Sequence, residues 1–185
     1  VFFMPSGTIH AIEEGILLAE IQQNSDTTYR VYDWNRMGQD GKPRDLHIDK
    51  ALDVTNFNQK PIQAKSKPLT IKKVDYTQQI LTACPYFITE KIEINQKYTI
   101  SPQGNKFYII MVLDGSGKIS SQGKNYSLTA GETILIPADL KKITITGDIE
   151  FLNSYLPESK ETTINKLQKK GFTEKQIETL SGINT

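Results

Sequence analysis

The chain reads as all-β up to about residue 157, followed by a short helical tail. Two observations support the β part: short apolar or alternating runs recur along the sequence, and glycine-bearing turns separate them. A third marks the change of character. Beyond Glu158 the composition turns helical, and Thr173-Glu174-Lys175-Gln176 has the pattern of a capping box. Regular short strands of this kind fold as a barrel or a sandwich.

Taken in order, Val1-Phe2-Phe3-Met4-Pro5 reads as the middle of a buried strand. A chain that starts inside a core strand leaves edge hydrogen bonds unmet, so a segment upstream of Val1 is expected. Ile16 to Ile21 is a short apolar run, and Tyr29-Arg30-Val31-Tyr32 alternates polar and aromatic; both are expected as strands. Asn35 to Pro43 is turn-rich and expected as a surface loop. Asp49 to Val54 has the composition of one short helical turn. Gln59 to Pro68, with two prolines and three lysines, reads as a crossing segment or linker. Strands are then expected at 87–94, 106–113, 117–121, 125–128, 133–136, 143–146 and 149–155. Ser159 to Lys170 is expected as a helix ending at Gly171, with a second helix opened by Thr173 and closed by Gly182. Ile164, Leu167, Phe172, Ile177 and Leu180 would give this pair one apolar side, the mark of a packing appendage.

Composition removes several classes. With 22 basic and 21 acidic side chains the net charge is +1, without the basic excess of a dedicated nucleic-acid binder. No stretch approaches the roughly 20 apolar residues of a membrane-spanning helix. Cys84 is the single cysteine and cannot form an internal disulfide, so a cytoplasmic protein is the default. Nothing in the sequence activates Cys84, and a buried thiol is expected.

Two stretches carry a barrel signature with chemistry. Pro5-Ser6-Gly7-Thr8-Ile9-His10 fits the Pro-x-Gly-x-x-His half of the cupin signature: proline ends a strand, glycine permits the turn, and the next strand carries a histidine to the barrel mouth. Neutral imidazole there is a good zinc or iron ligand. The second stretch, Gly131 to Pro137, gives glycine, five residues, then proline. Lys142 stands where the histidine would follow, Tyr108 takes the approximate place of the ligand glutamate, and no histidine lies near Pro102 or Gly104. An ammonium cannot replace imidazole as a neutral ligand, so this second barrel is expected to be metal-free. The fold expected is therefore a pair of cupin or jelly-roll barrels: the remnant of a catalytic cupin at 1–56, a metal-free cupin at 60–157, and the tail at 158–185.

A longer match lies between Pro5 and Ile48. Pro5-Ser6-Gly7-Thr8-Ile9-His10-Ala11, then 20–34 (Glu20 through Arg30 to Trp34), then Gly41-Lys42-Pro43-Arg44-Asp45-Leu46-His47-Ile48 closely resembles the type I mannose-6-phosphate isomerases, particularly the short bacterial ones, in order, spacing and composition. The resemblance continues more loosely to about residue 157 and does not include the tail. It implies interconversion of mannose 6-phosphate and fructose 6-phosphate at a single zinc, with His10 as one metal ligand. A glutamine, a histidine and a glutamate of the family lie upstream of Val1, so a missing amino-terminal segment of the same protein is an expected partner alongside the hexose 6-phosphate. Without those ligands the chain alone is expected to bind zinc poorly and to be inactive.

By the same resemblance Arg30 is the active-site arginine. A guanidinium suits the task, since the enediolate of aldose–ketose isomerisation develops negative charge beside it. Glu20 and Asp26 resemble acidic residues lining the pocket. Asp26, four residues before Arg30, can hold that guanidinium or cap a turn, and Glu20 needs a partner if it is buried. Arg44, Lys42 and His47 are given no catalytic role. The competing readings are a non-catalytic sugar-binding or regulatory cupin and a metal-dependent oxidase cupin. No nucleic-acid or membrane partner is expected.

Overall fold

The computed structural model describes residues 1–25, 27–58, 67–102 and 104–184. The chain divides into two units, Met4–Ile62 and Val1–Phe3 with Gln63–Thr185.

In the first unit the only regular element among the described residues is helix α1, Ile48–Val54. The strands expected at 16–21 and 29–32 do not form. Leu17 is fully exposed, and Ile16, Leu18, Tyr29 and Tyr32 are exposed as well. The reason is the backbone: a strand is stabilised by a ladder with a neighbour, and among the described residues no strand pairs with either run. What holds locally is the 33–44 loop. Trp34 and Asn35 have φ of 50° and 52°, and the Arg36 N–H donates to the Asp33 carbonyl at 3.0 Å, which together make a tight type I′ turn. Most of the expected linker, 59–66, lies outside the described residues.

The second unit is an antiparallel sheet folded into two layers. Its strands are β1 (Leu69–Lys72), β2 (Tyr76–Ala83), β3 (Ile88–Ile94), β4 (Lys97–Ile100), β5 (Tyr108–Ser121), β6 (Lys124–Thr129), β7 (Thr133–Ile136) and β8 (Ile143–Tyr155). β5 and β8 run side by side over most of their length. The first half of β5 also pairs with β7 and its second half with β6. The second half of β8 pairs with β3 and its first half with β4. Each long strand therefore belongs to both layers, as in a jelly roll.

The runs expected as separate strands at 106–113 and 117–121 form one strand, as do those at 143–146 and 149–155. The glycines between them are bends, not ends. A bulge lies between Val112 and Asp114, and Gly117 faces Gly147 across the ladder. A Cβ on Gly147 would meet the Gly117 Cα at 2.5 Å, and its φ of 131° is one that side-chain-bearing residues avoid.

Alternation sets the core. Ile92, Ile94, Ile110, Val112, Ile145, Ile149 and Phe151 face inward and pack with Tyr98, Tyr108 and Leu128. The tail forms α2 (Lys160–Lys169), capped by Ser159, and α3 (Glu174–Glu178), opened by a complete Thr173–Gln176 capping box. Gly182 does not close α3, which ends at Thr179. Leu167, Ile177, Leu180 and Ile183 pack on Leu69, Ile80, Ala83 and Ile88 in a second cluster. Cys84 is buried, as expected, and its thiol donates to the Phe87 carbonyl at 3.4 Å. No helix among the described residues is long and apolar enough to cross a membrane.

Candidate functional site

In the first unit the backbone joins Arg30 to the segment that opens α1. The His47 N–H donates to the Arg30 carbonyl at 2.7 Å, and the Arg30 N–H donates to Nδ1 of His47 at 3.2 Å. The Arg30 guanidinium donates through Nη1 to the Asp45 carbonyl at 3.2 Å. Arg30 is half-buried, and among the described residues its side chain is held at one donor. His47 is partly buried, with its backbone N–H and its Nδ1 both engaged by Arg30.

Arg44 is more than a solvated loop residue. Asp33 is only 5 % exposed, and its carboxylate accepts from Nε and Nη2 of Arg44 and from Arg36. The Arg44 hydrogen bond, opposed by burial and aided by Arg36, holds the Asp33 carboxyl at about 2, below its ordinary 3.8. A depressed carboxylate contributes stability above its unfolded pKa and loses it as pH falls through the folded one. The 33–44 loop should therefore loosen as pH drops from about 4 towards about 2. Amide exchange of residues 36–44 should rise over that window in the wild type. Asp33→Asn should show raised exchange already at neutral pH and little further change on acidification. A wild-type loop with constant protection across the window would refute the assignment.

His10 is exposed, and its Nδ1 donates to the Thr8 carbonyl at 3.1 Å. In the neutral ring that bond puts the proton on Nδ1 and the lone pair on Nε2. The rest of a ligand set is missing: no group of three or more His, Cys, Asp or Glu able to hold a metal occurs among the described residues. The described residues do not by themselves make a three- or four-ligand zinc site. Glu20 is exposed and needs no buried partner. Asp26 lies outside the described residues. Among the described residues, no hydrogen bond or ion pair joins His10, Glu20 and Arg30.

The interior of the second unit holds polar groups that the sequence reading overlooked. Glu90 is 4 % exposed and sits across β3–β8 from Asn153, also buried. Tyr155 donates its hydroxyl to Glu90 at 2.9 Å and the Asn153 amide lies at 3.4 Å, leaving Asn153 Oδ1 without a partner. Burial, reinforced by the Glu90 charge, pushes the Tyr76, Tyr98, Tyr108 and Tyr155 hydroxyls up, so all four stay protonated at neutral pH. The available signal was phase: Glu90 shares the inward parity of Ile88, Ile92 and Ile94. Lys142, at the place of the cupin histidine, is exposed, while Tyr108 is buried beside Tyr155.

Two antiparallel layers sharing long bent strands, with a Gly-x5-Pro run that starts in the turn after β6 and ends just past β7, make the second unit a cupin. The sequence profile of the cupin domain of mannose-6-phosphate isomerase matches residues 77–156. The chain is 36% identical over 83% of its length to the mannose-6-phosphate isomerase of Streptococcus mutans, covering 48% of that protein. It is 39% identical over 83% of its length to the probable mannose-6-phosphate isomerase GmuF of Bacillus subtilis, again covering 48%. A crystal structure of mannose 6-phosphate isomerase from Bacillus subtilis superposes with a TM-score of 0.63 at 30% identity, over 71% of this chain and 41% of that one. The chain belongs to the mannose-6-phosphate isomerase family, and it spans about half the length of the curated relatives it matches.

Proposed function

We propose that this chain is part of an aldose–ketose isomerase that interconverts mannose 6-phosphate and fructose 6-phosphate through an enediolate. The observation that carries the reading is the identity of 36% and 39%, over 83% of the chain, to proteins described by that activity. Arg30 is the residue assigned to the reaction: a guanidinium stays protonated and its fork of donors can meet the oxyanion as it forms. Glu20 and Asp26 are assigned to the sugar. In the finer reading the enzyme is cytoplasmic and zinc-dependent, with His10 as one ligand and the remaining ligands upstream of Val1.

The test compares the natural full-length protein with residues 1–185 alone. The full-length protein should interconvert the two hexose 6-phosphates, followed by NMR, and retain zinc through dialysis against a weak chelator. Residues 1–185 should do neither. A folded, zinc-replete full-length protein without turnover would exclude the isomerase. Stoichiometric zinc on 1–185 would exclude the split ligand set.

A further inference from the structure

We propose that His47 is a positioning residue for Arg30, holding the arginine backbone from both sides so that the guanidinium is presented at a fixed angle. The assignment rests on the isomerase reading of Arg30. Its basis is the pair of bonds between two residues 17 apart: the Arg30 N–H to Nδ1 of His47 and the His47 N–H to the Arg30 carbonyl, at 3.2 and 2.7 Å. One residue thus meets both backbone groups of Arg30. The side-chain bond from Nη1 to the Asp45 carbonyl, two residues away, adds a third point on the same short segment.

His47 is itself anchored. Its carbonyl accepts the Ala51 N–H at 2.9 Å, the first hydrogen bond of α1, so the imidazole hangs from the start of a helix. It stands at the N-cap position yet makes no side-chain cap bond, because Nδ1 is given to Arg30 instead. The Tyr29 ring lies 6.3 Å from the imidazole. Between the two residues, Asp33 ties Arg36 and Arg44 together and closes the intervening loop. An Nδ1 that accepts leaves the proton on Nε2. His47 therefore acts here through Nδ1 alone, and its atoms need not touch substrate.

That geometry yields a substitution series with a distinct pattern. Nδ1 is bonded to Cγ, and the side-chain oxygen of asparagine occupies the same place, whereas that of glutamine is one bond farther out. In the natural full-length protein, His47→Leu should lower kcat on the order of 10–100-fold, the usual effect of misplacing a catalytic group, with KM nearly unchanged. His47→Asn should recover most of the loss and His47→Gln little of it. In an Arg30→Ala background, His47→Leu should cost nothing further, because the two residues act as one unit. Amide exchange at Arg30 should rise in His47→Leu and stay low in His47→Asn. Wild-type protein without turnover would overturn the isomerase reading and this assignment with it. Active wild type with near-normal kcat in folded His47→Leu would overturn the positioning role alone. So would asparagine failing where glutamine succeeds, which would point to Nε2, or an undiminished His47→Leu effect in the Arg30→Ala background.

Discussion

Arg30→Ala in the natural full-length protein should lower kcat on the order of 10²–10³, the usual cost of removing one donor from a developing oxyanion. The sugar is neutral at C1 and C2 before the proton moves and anionic afterwards, so a fixed positive charge favours the transition state over the ground state. Folding should survive, since Arg30 is only half-buried and, among the described residues, its side chain is held by a single carbonyl. Arg30→Lys should restore only part of the rate, because an ammonium keeps the charge but lacks the planar fork. A structural arginine predicts a different result: a lower melting temperature with near-normal turnover in the folded fraction. If only KM rises, Arg30 contributes uniform binding, as it would on the phosphate.

The sequence marks Arg30 through a resemblance about forty residues long, but it does not show what holds it. Its partners are a backbone carbonyl at Asp45 and a ring nitrogen at His47, and neither pairing leaves a compositional trace. Asp33 and Arg44, 11 residues apart in a loop rich in turn residues, look like ordinary solvated charges until the type I′ turn folds them together. Glu90 is the opposite case. Its inward phase on β3 was legible, but no histidine stands near it in the sequence to mark it as part of a site.

Several barrel strands were legible from their apolar alternation, while β1, β2 and β4 lie outside the expected runs. β7 is found at the expected residues, and β3 and β6 lie within a residue of theirs. β2 was not singled out because Tyr76-Thr77-Gln78-Gln79 is polar, and Gln78 is buried against the sequence signal. The expected strands at 16–21 and 29–32 show the limit of a local reading. Their composition fits a sheet, but a ladder needs a second chain segment beside it.

The tail should prove indispensable to the second unit, although the matched cupin domain ends at residue 156. Leu167, Ile177, Leu180 and Ile183 are each 5 % exposed or less and cover Leu69, Ile80, Ala83 and Ile88, which are equally buried. The backbone ties the end down as well: the Ser181 carbonyl accepts the Ala83 N–H at 2.9 Å and the Thr82 hydroxyl at 2.8 Å. The Gly182 turn that follows leaves no room for a side chain, since a Cβ would come within 3.0 Å of the Ala83 carbonyl oxygen. Leu167→Ala should cost about 2–5 kcal/mol, the range for a large-to-small change in a packed core. That is a large share of the roughly 5–15 kcal/mol by which a domain is stable. It should appear as a lower urea midpoint with an unchanged slope. Ending the chain at Leu156 removes all four tail side chains and exposes their partners on β1, β2 and β3. That chain should lose its near-ultraviolet circular dichroism or aggregate. A truncated chain with the same urea midpoint as the intact one would make the tail a loose appendage. The same midpoint in Leu167→Ala would show that the second cluster adds nothing to the stability of the barrel.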